Sequence, residues 1–265
     1  AQTKPQSVLT VVDQEVQSQF QCFLTSVTTH EDPTSYKQAV KSQHWVEAMN
    51  VELEALERNG TWVIQALPPG KLAIGCRWLY KTKFKPDGTI ERYKSRLVIL
   101  GCKQQHGVDF GETFAPVAKM ATVRTLLAVT AIQNWVTLQM DVTNAFLHGD
   151  LTEEVYMTFP QGYKGWGSRI ELGNHTNSTL TDADGRRLVC KLVKSLYGLR
   201  QAPRCWFSKL STTLIVNGFV QSKADYSLFT KVTETTIVVT LVYVDDLLIA
   251  GNSNEAISWL KSMLS

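Results

Sequence analysis

The sequence lacks the marks of a membrane-spanning, secreted or zinc-finger protein. No apolar run approaches the roughly 20 residues that a membrane-spanning helix needs. Ala1 to Thr10 hold no initiator methionine, no apolar leader core and no cleavage signal. The chain therefore reads as soluble, not secreted, and as a piece of something longer. Its five cysteines, Cys22, Cys76, Cys102, Cys190 and Cys205, are scattered without CxxC or other metal-ligand spacing. Such a set implies reduced thiols in the cytosol or nucleus. Matches to N-x-S/T at Asn59, Asn174 and Asn177 are read as chance in the absence of a secretory signal. A P-loop, an Asp-Ser/Thr-Gly motif and a His/Cys zinc motif are also missing.

What is present is material for a large buried core. The 265 residues are 44% hydrophobic and 19% charged, with 10 Phe, 8 Tyr and 7 Trp, which excludes disorder and collagen-like or disulfide-scaffold classes. Net charge is only +3, but it is unevenly spread. Residues 71–104 carry +7 and residues 186–224 carry +8, while 1–70, 105–185 and 225–265 come to −4, −5 and −3. Alternating basic and acidic stretches suit a polyanion track beside a metal site, and equally suit ordinary solvated faces.

Local patterning sets out the elements. Residues 1–31 are polar and without sustained periodicity, which predicts a disordered linker. Asp32-Pro33 predicts a helix start, Val46, Met49, Leu53 and Leu56 give its apolar face, and Asn59-Gly60 its end. Thr61–Leu67 reads as a strand. Cys76–Phe84 and Ile90–Leu100 flank the Pro86-Asp87-Gly88 turn signal and read as a hairpin. Met120–Gln133 reads as a helix with Val123, Leu126, Leu127 and Thr130 on one face, and Trp135–Val142 as a strand. Residues 164–187, rich in Gly, Asn, Thr and Asp, read as a long surface loop without assigned function. Leu188–Val193, a helix from Pro203 to Asn217-Gly218, strands Ser227–Val232, Thr236–Val244 and Leu247–Ala250, and a helix from about Ser253 complete the chain.

Two places carry chemistry. Asp245 and Asp246 sit together at the tip of an otherwise apolar Val/Leu/Ile hairpin. Adjacent like charges there call for a neutraliser, and Mg²⁺ suits a few carboxylates combined with substrate phosphates. A solvated Asp-Asp turn is the alternative. Asp141 ends a second apolar strand, VTLQMD. Three aspartates at adjacent strand ends form the template for two-metal phosphoryl chemistry, whereas Asp141 alone reads equally as a helix cap.

Eight blocks in order give the chain a family resemblance. They are Glu54-Ala55-Leu56 through Asn59-Gly60-Thr61-Trp62, then Arg77-Trp78-Leu79-Tyr80-Lys81-Thr82-Lys83, then Lys94-Ser95-Arg96-Leu97-Val98, then Glu112-Thr113-Phe114-Ala115-Pro116-Val117. They continue with Gln139-Met140-Asp141-Val142 and Ala145-Phe146-Leu147-His148-Gly149, then Val155-Tyr156-Met157, then Lys194 to Arg204 (KSLYGLRQAPR), and Tyr243-Val244-Asp245-Asp246. From about Trp45 to Gly251 the chain resembles the reverse transcriptase of copia-type LTR retrotransposons. Ser95, where that family usually has Ala, and Ile99-Leu100 depart from its pattern.

The resemblance implies an α+β fold: the fingers and palm of a right-hand polymerase, with an antiparallel palm sheet backed by helices. Fingers would span about 60–120, and palm about 121–163 and 188–265, within a domain of 32–265. The chain stops about 20 residues after Asp246, so the resemblance leaves thumb and RNase H downstream and integrase upstream in a Pol polyprotein. It further implies RNA-directed DNA polymerase activity on an RNA template, a DNA primer and dNTPs, in a cytoplasmic virus-like particle or the nucleus. Two Mg²⁺ ions, with Mn²⁺ as substitute, would be held by Asp141, Asp245, Asp246 and the Val142 carbonyl. Phe146 would exclude a ribose 2′-hydroxyl. Arg96, with Lys81 or Lys83, would take the triphosphate, and Tyr197, Gly198, Arg200 and Tyr243 would meet template and primer. The alternative is an inactive or domesticated retroelement fragment that only binds nucleic acid.

Overall fold

The computed structural model describes residues 30–173 and 180–264; most of the expected linker, Cys22 and the sequons at Asn174 and Asn177 lie outside them. In chain order the elements are α1 (Tyr36–Ala39), α2 (Gln43–Arg58), β1 (Trp62–Ala66), β2 (Ala73–Ile74), β3 (Cys76–Phe84), β4 (Ile90–Ile99), α3 (Met120–Gln133) and β5 (Val136–Asp141). They go on as β6 (Tyr156–Met157), β7 (Leu188–Leu192), α4 (Ala202–Val216), β8 (Val220–Gln221), β9 (Leu228–Val232), β10 (Ile237–Tyr243), β11 (Asp246–Gly251) and α5 (Asn254–Leu264). Short 3₁₀ turns occupy Gly101–Lys103 and Ala145–His148. The fold is mixed α+β. Among the described residues no helix is long and apolar enough to cross a membrane.

The chain divides into two compact units. The first draws on Ala1–Arg58, Gly75–Val98 and Thr158–Leu188. Here α2 lays its apolar stripe against the β3–β4 hairpin. Trp45, Met49, Leu53 and Leu56 are buried, each contributing about 2 kcal/mol of apolar transfer. The Trp45 ring meets Tyr80 and Tyr93 edge-on at 5.4 and 4.9 Å, and Tyr93 stacks on His44 at 4.9 Å. Alternation along β3 buries Trp78, Tyr80 and Thr82 and leaves Arg77, Leu79, Lys81 and Lys83 outside.

The sequence-based helix start at Asp32 is corrected. Asp32 caps no helix: its carboxylate accepts from the Thr82 amide and hydroxyl at 2.9 and 2.7 Å. The first turn begins only after Ser35, and the chain breaks before α2 starts at Gln43. A distant strand has taken the oxygen that local capping would have used. Within the 164–187 stretch the described part is tied down in places. Ile170 is buried, and its backbone exchanges two hydrogen bonds with the Asn50 side chain at 2.8 and 3.0 Å.

The second unit draws on Asn59–Ile74, Ile99–Met157 and Val189–Ser265. Its main sheet runs β5-β11-β10-β9-β8 with antiparallel pairing throughout. A smaller sheet runs β1-β7-β6-β2, with β2 and β6 parallel. The two-residue strands β2, β6 and β8 were not anticipated, because two residues carry no periodicity to read. One face of the main sheet packs Val238, Val242, Leu247 and Ile249 against Trp206, Leu210 and Leu214 of α4 and Ile257 and Leu260 of α5. On the other, Val239, Leu241 and Ala250 meet Leu126 of α3. Pro203 stands in the first turn of α4 as expected, and Asn217-Gly218 ends the helix with Gly218 at φ 86°.

Helix α3 has no cap of its own, since Lys119 supplies no side-chain acceptor. Asp225, three residues before β9, serves instead. Its buried carboxylate accepts from the Lys119 amide, the Thr122 hydroxyl, and the Ser227 amide and hydroxyl, at 3.1, 2.6, 3.1 and 2.6 Å. Burial pushes its pKa up, but these four donors outweigh it and hold the group at about 2, below the ordinary 3.8. A depressed carboxylate stabilises the fold above its unfolded pKa and loses that contribution as pH falls through the folded value. Urea unfolding should therefore find Asp225→Asn about 2 kcal/mol less stable than the parent at pH 7, with the gap closing between pH 4 and pH 2.

Candidate catalytic centre

The acids expected to act together are brought to one end of the main sheet by strand register. In the β11–β5 pairing Asp246 stands directly opposite Asp141, and in β10–β11 Tyr243 stands opposite Asp246. Directly opposed residues share a face, with Cβ atoms about 4.5–5.5 Å apart. Asp245 lies in the two-residue turn between β10 and β11, and its carbonyl accepts from the Val142 amide at 2.9 Å. The tip is thus stitched to the residue after Asp141. Asp141 is exposed and the other two partly so. Asp246 Oδ1 accepts a hydrogen bond from Gln139 Nε2 at 3.2 Å.

These are hard oxygen donors of the kind Mg²⁺ takes. The chemistry of the donor set fits a divalent cation, and register places two of the three carboxylates side by side. The side chains are not drawn together into a finished cage: among the described residues no group of three or more His, Cys, Asp or Glu side chains is set to hold a metal ion.

The turn itself is strained. Val244 has φ 58°, and the only other non-glycine residues beyond zero among those described are Asn134 and Asn144. Asparagine tolerates this region, whereas a β-branched side chain there costs roughly 1–3 kcal/mol. The Val244 carbonyl accepts from Trp206 Nε1 at 2.8 Å.

Phe146 lies in the 3₁₀ turn that follows Asp141, partly buried. Its ring rests on that of Tyr197, with centroids 4.9 Å apart, and its carbonyl accepts from the buried Ser195 hydroxyl. Ser195 and Tyr197 meet Phe146 from the KSLYGLRQAPR block, a pairing that no local pattern reveals. Gly198 has φ 95°. Its carbonyl lies so close to Gly101 that a Cβ on Gly101 would collide with it. Arg200 Nε donates to the Gly101 carbonyl at 3.0 Å, its amide donates to Gln104 Oε1 at 2.9 Å, and its guanidinium lies 5.5 Å from the Phe110 ring centroid. Gln104 in turn donates to Gln201 at 3.0 Å.

Beside the acids a cavity of about 430 Å³ is lined by Met120, Val123 and Leu127 of α3 and by Gln139, Leu241, Tyr243 and Asp246. Tyr243 is half exposed. Of the four residues expected on one face of α3, Leu126 and Thr130 are buried, while Val123 and Leu127 line this cavity and Leu127 stays 45% exposed.

The remaining expected residues belong to the first unit. Lys83 is exposed on β3, and Lys81 pairs with Asp32 at 3.3 Å. Arg96 Nη1 donates to Glu52 Oε2 at 2.6 Å, and the Leu97 amide to Glu52 Oε1 at 3.3 Å. Glu52, 3% exposed on α2, was missed by the sequence reading. Burial pushes its pKa up, and Arg96 opposes most strongly. Lys94 is depressed by burial and then by the nearby Arg96, Arg92 and Lys83, so the hairpin gathers cations closely enough to oppose one another.

Removing one partner of a buried ion pair leaves the other uncompensated. Arg96→Met should lower stability by about 3 kcal/mol at neutral pH. With the Glu52 pKa raised further, the deficit should shrink as pH falls toward 4.5 and grow as pH rises; paired urea titrations at pH 5 and pH 8 measure this.

Comparison with known proteins then gives two results. Residues 59–265 match the family model described as reverse transcriptase (RNA-dependent DNA polymerase). The chain is 40% identical over 244 residues to the retrovirus-related Pol polyprotein from transposon RE2 of Arabidopsis thaliana, covering 92% of this chain and 16% of that protein. It is 42% identical over 228 residues to that from transposon RE1 of the same plant, covering 86% and 14%. Against that from transposon TNT 1-94 of Nicotiana tabacum it is 37% identical over 243 residues, covering 90% and 17%. The chain thus spans about one sixth of the length of these curated relatives.

Proposed function

This chain belongs to the reverse transcriptase family, as a copia-type retrotransposon Pol domain, and from that premise we propose that it extends a primer 3′-hydroxyl with dNTPs on an RNA template. The observation that carries the proposal is the register placing Asp141 opposite Asp246, with Asp245 tied to Val142 at the same sheet end. Two segments remote in sequence bring Asp141 opposite Asp246 and set Asp245 in the adjoining turn, at the end of an otherwise apolar sheet that gives no structural reason for them.

In this reading the five-stranded sheet of the second unit belongs to the palm and the β3–β4 hairpin to the fingers. Asp141, Asp245 and Asp246, with the Val142 carbonyl, would hold two Mg²⁺ ions, which when bound make the primer hydroxyl a better nucleophile and neutralise the departing pyrophosphate. The rest is done by the chain. Phe146, backed by Tyr197, leaves no room for a 2′-hydroxyl and so selects deoxyribonucleotides by exclusion. Arg96 and one of Lys81 and Lys83 neutralise the triphosphate. Lys81 is engaged by Asp32 and Arg96 by Glu52, so taking the triphosphate would require either to exchange its carboxylate partner, whereas Lys83 pairs with no acid among the described residues. Gly198 admits template backbone closely, Arg200 steadies that segment through Gly101 and Gln104, and Tyr243 supports the primer end. The template, the primer and the surrounding polyprotein are the partners.

The test is extension of oligo(dT) on poly(rA). Mg²⁺-dependent addition of dTMP should fall by about three orders of magnitude in Asp245→Asn. No addition by a folded parent would leave the chain as a nucleic-acid-binding remnant. In Phe146→Ala the preference for dTTP over UTP should narrow by at least about tenfold, read from the ratio of the two kcat/KM values.

A further inference from the structure

We propose that Trp206 is a positioning residue for the Asp245–Asp246 pair: its indole N–H holds the Val244 carbonyl and thereby the left-handed turn that aims both acids. The inference rests on the polymerase reading for its functional consequence, but on geometry alone for the clamp. Val244 stands at φ 58° with a β-branched side chain, a conformation that such a residue keeps only when its surroundings impose it. Two hydrogen bonds do so. The Val142 amide holds the Asp245 carbonyl at 2.9 Å from the β5 side, and Trp206 Nε1 holds the Val244 carbonyl at 2.8 Å from the α4 side.

Trp206 is well placed to bear such a load. It is 6% exposed and packs in the core cluster with Leu210, Phe229, Val242 and Leu247. The indole nitrogen is a donor only, and it donates here to the carbonyl of the strained residue. Helix α4 is in turn fixed against the segment that carries Phe146. Gly149 approaches so closely that a Cβ there would stand 2.8 Å from the Trp206 amide nitrogen, and the His148 ring lies 5.9 Å from the Trp206 ring. One side chain therefore links the turn after Asp141 to the tip that bears Asp245 and Asp246. Any buried aromatic ring would supply the packing; only the N–H supplies the grip on the turn.

The experiment compares the 265-residue chain with Trp206→Phe, which keeps an aromatic ring and loses the donor, and with Trp206→Phe/Val244→Gly, in which the left-handed turn no longer costs strain. Asp245→Asn is the activity control. In ¹⁵N-labelled parent protein without metal, the Trp206 indole N–H should exchange at least 100-fold more slowly than that of the more exposed Trp259. Trp206→Phe should lower kcat about tenfold and raise the Mg²⁺ needed for half-maximal rate about threefold, with KM for dTTP within twofold. The double variant should recover kcat to within threefold of the parent. A tryptophan that serves packing alone would give no recovery with Val244→Gly, and that result overturns the proposal. An indole N–H exchanging as fast as that of Trp259 overturns it independently. A parent with a protected indole N–H but no extension activity would refute the polymerase reading while leaving the clamp intact.

Discussion

The second unit depends on the zipping of β10, β11 and β5 into a fixed register. Alternate apolar side chains are buried on both sheet faces, by α4 and α5 on one and by α3 on the other. A one-residue slip would exchange the two sets wholesale. Gly251 adds a local constraint, because a Cβ there would collide with the Ile237 carbonyl of the facing strand. With register fixed by burial, the positions of Asp141 and Asp246 at the strand ends follow without any attraction between them. Their mutual repulsion is tolerated because both are at least partly exposed to water and because apolar burial elsewhere in the sheet is far larger.

Two buried carboxylates are handled differently from those at the sheet end. Asp225 and Glu52 are buried and engaged, the first by two donors at the start of α3 and two on Ser227, the second by Arg96 and the Leu97 amide. In each case a long-range partner supplies what local sequence does not. Among the described residues the carboxylates of Asp141, Asp245 and Asp246 have no such partners beyond Gln139 on Asp246. Acids that the fold consumes are thus separable from acids that it leaves available, and the second group is the one assigned to catalysis.

Much of the fold was legible. The apolar stripe of α2, the β3–β4 hairpin about Pro86-Asp87-Gly88, the Pro203 entry to α4 and the apolar β10–β11 hairpin all appear where patterning placed them, because each signal is confined to one element. Asp32 misled for the opposite reason. Its side chain serves Thr82 rather than the following turn, and nothing adjacent to it could reveal that. The same holds for Glu52, which looks like any helix acid until α2 is laid on β4.

By itself the sequence determined the family and the α+β composition and singled out three aspartates as candidates, since eight ordered blocks and apolar periodicity are local properties of the chain. Tertiary structure alone decided that Asp141 faces Asp246, that Phe146 rests on Tyr197, that Arg96 is tied to Glu52 and that Trp206 grips the turn at Val244. Each of these joins residues remote in sequence, and such a partner is chosen only when buried area fixes register and packing together.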